Sequence, residues 1–140
     1  MEIVVFIGIQ ASGKTTFYNK YFSQTHTHIN LDTLKTRHRE RECIYESLKE
    51  GRSVVIDNTN PMREIRKRYF DVAREFSIPV RGYYFMSRAS DCLERNRLRK
   101  GRARVRDVAI PSTIKRLERP SFKEGFSELY HVSIGEDGEF

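Results

Sequence analysis

Residues 8–16, GIQASGKTT, have the composition and spacing of a loop that binds phosphate groups. The pattern G-x-x-x-x-G-K-[ST] is complete, and it lies between a predicted strand and a predicted helix. Glycines let backbone N–H groups curl around a β-phosphate, and the start of a helix adds partial positive charge. Lys14 is expected to bridge the β- and γ-phosphates, and the Thr15 hydroxyl is a hard oxygen ligand for Mg²⁺. The sequence therefore predicts a nucleoside triphosphate site formed by Gly8, Gln10, Ala11, Ser12, Gly13, Lys14, Thr15 and Thr16.

Aspartates follow two of the predicted strands. Asp32 comes just after the segment THIN, where the carboxyl end of a strand borders the ligand crevice of a doubly wound sheet. It can face the γ-phosphate from the acceptor side, or it can cap the helix that begins at Thr33. Asp57 follows the apolar run VVI. An acidic residue at the end of such a strand is typical of a carboxylate that supports Mg²⁺ or of one that orients the acceptor. Residues 58–60 are expected to form a turn.

Residues 87–111 are nearly all polar and rich in arginine. Spacings of seven, four and three residues bring four arginines onto one stripe of a helix, namely Arg88, Arg95, Arg99 and Arg102. Few apolar residues are available to dock this helix, so we expect a mobile lid over roughly residues 88–110. Its guanidinium groups can clamp a transferring phosphoryl group. A solvated helix in a basic protein is the alternative.

The elements that must position these residues alternate between strand and helix. This order predicts an α/β fold with one mostly parallel sheet of four to five strands. The strand segments are EIVVFIG, THIN, RSVVIDNTNP, PVRGYYFM and ELYHVSI. Helices are expected from Lys14, over residues 31–51 as one helix that Gly51 ends, after Pro61, and within residues 112–126. With no repeat or linker, the 140 residues are expected to form a single domain.

Composition indicates the class of partner and the compartment. The 26 lysines and arginines exceed the 19 acidic residues, and the formal net charge of +7 favours polyanionic partners such as nucleic acid. No apolar stretch approaches the ~20 residues that cross a bilayer, and no basic region precedes the first apolar run. Cys43 and Cys92 are expected to be free thiols in a reducing cytoplasm. Surface or filler roles are expected of His26, His28, His38 and His131.

Taken together, these blocks resemble the 5′-kinase domain of polynucleotide kinases, especially the animal polynucleotide kinase-phosphatases and the bacteriophage enzyme. The resemblance is carried by GIQASGKTTF, HINLDTLK, GRSVVIDNTNP, ERNRLR, the pair Ile110-Pro111 and EGFSELY, in family order over nearly the whole chain. It implies a three-layer P-loop kinase fold with an arginine-rich helical lid. It also implies in-line transfer of the γ-phosphoryl group of ATP or another nucleoside triphosphate to the 5′-hydroxyl end of DNA or RNA.

The resemblance implies roles for the residues that match the family's motifs. Asp32 would be the general base that accepts the proton of the attacking 5′-hydroxyl, and Asp57 would organise the acceptor side. Arg99 would be the lid arginine on the β- and γ-phosphates, with Arg95 one turn earlier in support. The implied catalytic residues are Lys14, Asp32 and Arg99.

Two positions depart from the family's pattern. Leu31 stands where the family often has arginine before the base, and Lys35 stands where some members carry an arginine that holds the acceptor phosphate. Arg37 lies nearby, but a lysine offers a point charge in place of a bidentate fork. The residues expected to bind the acceptor are Asp32, Lys35, Arg37 and Asp57.

No counterpart of a 3′-phosphatase module or a forkhead-associated domain is recognised in the sequence. A kinase without end-trimming activity is therefore expected, working beside separate end-repair or ligase proteins. One alternative is a P-loop kinase that acts on a small molecule or a nucleotide sugar. Another is a nucleic-acid-stimulated NTPase, in which Asp57 would activate water and Asp32 would only cap a helix.

Overall fold

A computed structural model describes residues 1–86, 89–101 and 104–133. The strands are β1 (Ile3–Ile7), β2 (His26–Ile29), β3 (Ser53–Asp57), β4 (Val80–Phe85) and β5 (Glu128–Val132). The helices are α1 (Lys14–Tyr21), α2 (Leu31–Leu34), α3 (Arg37–Lys49), α4 (Arg63–Phe76), α5 (Ala89–Leu98) and α6 (Ala109–Arg116), followed by a 3₁₀ turn at Phe122–Glu124. Within these ranges, every helix is too short or too polar to cross a lipid bilayer.

The five strands form one wholly parallel sheet of order β2-β3-β1-β4-β5. Central β1 is buried along its whole length, as expected of a parallel strand covered on both faces. Its alternate side chains enter opposite layers. Val5 packs with Ile44 of α3 and Val72 of α4, whereas Phe6 packs with Phe17 of α1. The predicted α/β fold, with a parallel sheet between helical layers, is confirmed.

The prediction of a single helix over residues 31–51 is wrong, because the helix is interrupted between α2 and α3. Lys35 has a φ of 77°, which no α-helix accommodates. Thr36 then starts α3 by accepting a hydrogen bond at its hydroxyl from the N–H of Arg39, at 3.1 Å. A hydroxyl that caps a new helix competes with continuation of the preceding one. Helix α3 ends shortly before Gly51, whose φ is 81°.

The arginine-rich segment is packed more closely than its polar sequence suggests. Cys92 and Asn96 of α5 are fully buried, and Cys92 joins Ile9, Ala11 and Ile110 in a small apolar cluster. The expectation of a helix with too few apolar residues to dock is therefore wrong for α5, because a few well-spaced small or apolar side chains suffice. Arg88 and Arg102, two of the four predicted stripe arginines, lie outside the described residues.

Candidate active site

The loop between β1 and α1 depends on close packing and on left-handed backbone conformations. A Cβ at Gly8 would lie 2.9 Å from Phe85 Cβ, so a larger residue would disturb the contact with β4. Gly13 has a φ of 93° at the start of α1, in the region that favours glycine. Ala11 is also left-handed, with a φ of 62°, and its carbonyl accepts a hydrogen bond from Arg95 Nε at 2.6 Å. Arg95 of α5 thus contacts the loop at its one non-glycine residue with a positive φ.

The ammonium group of Lys14 lies inside this loop. Its Nζ donates hydrogen bonds to the carbonyl oxygens of Gly8 at 3.0 Å and Ile9 at 2.7 Å, and the residue is only 8% exposed. Burial disfavours the charged form and lowers the pKa of Lys14 from 10.5 to about 8. The Asp57 carboxylate opposes this shift, and the positive charge of Arg99 adds to it. A further anionic group near Lys14 would favour its protonated form.

Asp57 lies between the phosphate-binding loop and β2. Its Oδ2 accepts a hydrogen bond from Thr15 Oγ1 at 2.7 Å and lies 2.7 Å from His28 Nε2. The His28 ring stacks on Tyr18 with 4.2 Å between ring centroids. The surface or filler role predicted for His28 did not include this contact with Asp57. The feature of the sequence that could have indicated this contact was the position of His28 near the carboxyl end of β2, the strand that pairs with β3.

The alternative that Asp32 caps a helix is wrong, because another residue caps α2. Asn30 Oδ1 accepts the N–H of Thr33 at 3.3 Å. Asp32 lies in the first turn with an exposed side chain that lines the cleft described below. Asn58 Oδ1 accepts the N–H of Leu31 at 2.8 Å, so the turn after β3 supports α2 directly.

Arg99, which directly follows α5, belongs to the site, whereas Arg95 of α5 contacts the loop backbone. Arg99 lines the cleft and is close enough to Lys14 to affect its protonation. Helix α6 adds a second link, because Gln10 Nε2 donates a hydrogen bond to Thr113 Oγ1 at 2.9 Å. Arg116 of α6 also lines the cleft and is not among the site residues predicted from the sequence. Nothing in its local sequence distinguishes it from the other arginines.

These groups surround a cleft of about 580 Å³ at the carboxyl ends of the strands, within the size range of ligand sites. It brings together Gln10, Ala11, Lys14, Thr15, Asp32, Arg37, Asp57 and Arg99 of the predicted site. Among the described residues, six predicted positions do not line it, namely Gly8, Ser12, Gly13, Thr16, Lys35 and Arg95. Ser12 Oγ accepts a hydrogen bond from Lys14 Nζ at 3.3 Å, while Thr16 and Lys35 are exposed.

Comparison with known proteins relates both the sequence and the fold to nucleotide-binding enzymes. Residues 3–120 match the family described as AAA domain. The chain is 36% identical over 135 residues to the bifunctional polynucleotide phosphatase/kinase of Schizosaccharomyces pombe, an alignment that covers 94% of this chain and 33% of that protein. The chain therefore spans about a third of the length of that curated relative.

Two solved structures share the fold at low sequence identity. One is Kti12 of Chaetomium thermophilum in complex with ADP-AlF3, with a TM-score of 0.69 and 17% identity over 97% of this chain and 92% of that one. The other is a sugar kinase of Janibacter sp. HTCC2649, with a TM-score of 0.68 and 20% identity over 93% of this chain and 85% of that one. These likenesses establish the P-loop kinase fold and leave the acceptor open.

Proposed function

The chain belongs to the AAA domain family of P-loop proteins, and on that basis we propose that it is a polynucleotide 5′-hydroxyl kinase. The observation that carries the proposal is the shared cleft, in which Asp32 faces the same space as Lys14 and Arg99. A carboxylate across from a phosphate-binding lysine and a lid arginine is the arrangement that phosphoryl transfer to a hydroxyl requires. The polynucleotide acceptor is supported by the similarity to the Schizosaccharomyces pombe protein and by the net charge of +7.

In the proposed reaction the donor is ATP or another nucleoside triphosphate, held by the loop at residues 8–16. Lys14 turns its ammonium from the loop carbonyls toward the β- and γ-phosphates, and Arg99 neutralises charge on the transferring group. The 5′-hydroxyl oxygen forms a bond to the γ-phosphorus as the bond to the β–γ bridging oxygen breaks. The hydroxyl proton passes to the Asp32 carboxylate, and the nucleoside diphosphate leaves.

A Mg²⁺ ion fits the oxygen atoms at the end of β3. Thr15 Oγ1 and Asp57 Oδ2 are both hard oxygen donors, and they lie 2.7 Å apart beside the loop. Phosphate and water oxygens would supply the remaining ligands of the ion. When bound, Mg²⁺ would neutralise charge on the β- and γ-phosphate oxygens. Of the two alternatives for Asp57, this contact favours support of Mg²⁺ over binding of the acceptor.

Transfer of a labelled γ-phosphoryl group to a panel of acceptors tests the proposal. The panel contains DNA and RNA oligonucleotides with 5′-hydroxyl ends, the same oligonucleotides with 5′-phosphate ends, and small hydroxyl compounds that include sugars and nucleotide sugars. We expect label only on the 5′-hydroxyl oligonucleotides, with an acceptor KM that rises with salt because basic residues contact phosphates. Label on a small compound alone would identify a metabolite kinase. Release of free phosphate alone would identify an NTPase.

A further inference from the structure

A buried carboxylate, Glu40 of α3, lies behind the acceptor side of the cleft. The residue is only 2% exposed, and three donors surround its two oxygens. Arg37 Nη1 lies 3.0 Å from Oε1, Asn58 Nδ2 lies 2.9 Å from Oε2, and the Tyr69 hydroxyl lies 3.2 Å from Oε2. A charge removed from water is tolerated only when it is paired and hydrogen-bonded. These three groups therefore stabilise the Glu40 carboxylate, and the carboxylate in turn fixes their positions.

One of these contacts leads to the general base. Asn58 donates to Glu40 with its amide nitrogen and accepts the Leu31 N–H with its amide oxygen, at 2.8 Å. Because a side-chain amide is planar, fixing its nitrogen also fixes the direction of its oxygen. Leu31 is the first residue of α2 and precedes Asp32. Glu40 therefore controls the position of the turn that carries Asp32 without lining the cleft itself.

A second contact leads to the acceptor-side arginine. Arg37 Nη1 contacts both Glu40 oxygens and the Tyr69 hydroxyl, the last at 3.2 Å. Within the described residues, every hydrogen bond made by Arg37 uses Nη1, so Nε and Nη2 remain for another anion. The side chain is 40% exposed and lines the cleft. A guanidinium anchored at one nitrogen and open at the others is suited to bind a phosphate.

We propose that Glu40 is a positioning residue that couples the general base to acceptor binding, acting on Asp32 through Asn58 and on Arg37 directly. The inference rests on the proposed function, and it adds that Arg37 contacts a phosphate of the acceptor strand. Burial raises the pKa of the Tyr69 hydroxyl, so Tyr69 remains a hydrogen-bond donor throughout the pH range of an assay.

The test is Glu40→Gln, which keeps the shape of the side chain and removes its charge. We expect kcat to fall by about 10- to 100-fold, as for other residues that orient a reacting group, and acceptor KM to rise by about fivefold. The Kd for the nucleoside triphosphate stays within about twofold, because no contact of Glu40 reaches the loop at residues 8–16. In a double-mutant cycle with Arg37→Ala, the two losses in acceptor kcat/KM are less than multiplicative.

Two variants separate positioning from a general loss of stability. Glu2→Gln is the matched control, since Glu2 accepts hydrogen bonds from His26 at 2.8 Å and Arg81 at 2.6 Å at the opposite end of the sheet. It is expected to lower the melting temperature and leave kcat and acceptor KM unchanged. Tyr69→Phe keeps the Glu40 charge and is expected to give a smaller kcat loss than Glu40→Gln. Wild-type kcat and acceptor KM per folded molecule of Glu40→Gln would overturn the proposal.

Failure of the proposed kinase function can be distinguished from failure of the positioning role of Glu40. The wild-type chain is first tested on the acceptor panel, and if it labels only a small hydroxyl compound, kcat is compared on that compound. Amide hydrogen exchange at Leu31 provides a readout that needs no acceptor. We expect exchange there to be about tenfold faster in Glu40→Gln than in Glu2→Gln, because the Asn58 contact is loosened. Equal exchange in the two variants would overturn the positioning role whatever the acceptor.

Discussion

The hydroxyl of Thr15 donates a hydrogen bond to Asp57 Oδ2 across 2.7 Å and joins the start of α1 to the end of β3. If these oxygens support Mg²⁺, Asp57→Asn removes the negative charge at the ion and replaces one carboxylate oxygen by an amide nitrogen, while the size of the side chain is kept. We expect the Mg²⁺ concentration for half-maximal transfer to rise by about 10- to 100-fold, with little change in acceptor KM. A magnesium titration of the transfer rate measures this. A higher acceptor KM with an unchanged Mg²⁺ requirement would assign Asp57 to the acceptor side instead.

Asp32→Asn removes the proposed base and keeps its size. We expect kcat to fall by about 10²- to 10⁴-fold, because the 5′-hydroxyl proton loses its acceptor. Triphosphate binding persists, since Asp32 is exposed and belongs to α2, outside the phosphate-binding loop. Single-turnover transfer and calorimetric binding measure the two effects. Asp71→Asn, at an exposed position of α4, is the matched control and retains full activity. Normal transfer by Asp32→Asn would exclude it as the base.

The lowered pKa of Lys14 predicts how triphosphate affinity changes with pH. The ammonium attracts phosphates, and burial lowers its pKa to about 8, so affinity falls as the pH rises from 7 to about 9.5. Near pH 9 binding takes up a proton, because the bound phosphates favour the charged form. Calorimetry in buffers of different ionisation enthalpy measures this uptake, and Lys14→Arg should remove it. A constant Kd with no proton uptake would contradict the prediction.

The same pKa shift has a defined effect on stability. Between about pH 8 and 10.5 the folded state binds fewer protons at Lys14 than the unfolded state does. The contribution of Lys14 to the free energy of unfolding therefore increases with pH across that window, and below pH 8 its burial is unfavourable. The measurement is the difference in unfolding free energy between the wild type and Lys14→Met as a function of pH. This difference in unfolding free energy should change with pH only between about pH 8 and 10.5.

Arg95 and Arg99 should affect different kinetic constants. Arg99 lines the cleft, so Arg99→Ala is expected to lower kcat by at least about 10²-fold, toward the range known for arginine fingers. Arg95 contacts the Ala11 carbonyl, so Arg95→Ala is expected to act mainly by raising the KM for the triphosphate. Arg97→Ala is the matched control, because Arg97 is exposed and its ion-pair partner among the described residues is the exposed Glu94. Equal kinetics for all three variants would contradict these assignments.

Arg66 should be the arginine that matters most for stability. It is fully buried, and its Nε and Nη2 donate to the two carboxylate oxygens of Glu124 at 2.9 and 3.0 Å. Arg66→Ala leaves Glu124 unpaired and is expected to lower the free energy of unfolding by about 3–5 kcal/mol. Arg74→Ala, which removes an exposed pair with Asp71, should cost less than about 1 kcal/mol. Urea unfolding compares the two, and similar losses would contradict the prediction.

The strands and the phosphate-binding loop could be predicted from sequence because their signals are local. A buried parallel strand is read from a continuous apolar run, and the loop is read from glycines whose backbone freedom it requires. The same local reading failed over residues 31–51. There helical residues continue without interruption, yet the Thr36 hydroxyl starts a new helix. It also failed for α5, where a few buried side chains such as Cys92 provide the docking surface.

The sequence alone determined which chemical groups are present and that the strand ends would gather Lys14, Asp32 and Asp57 at one edge. Only the tertiary structure decided which groups touch. The register of β2 on β3 brings His28 to Asp57, and the packing of α3 against α4 buries Glu40 among Arg37, Asn58 and Tyr69. Except for Arg37, which lies three residues before Glu40 on the same helix, those partners are far apart in the chain, and their contact depends on side-chain direction and burial. Both follow from packing in three dimensions, which no local pattern of residues records.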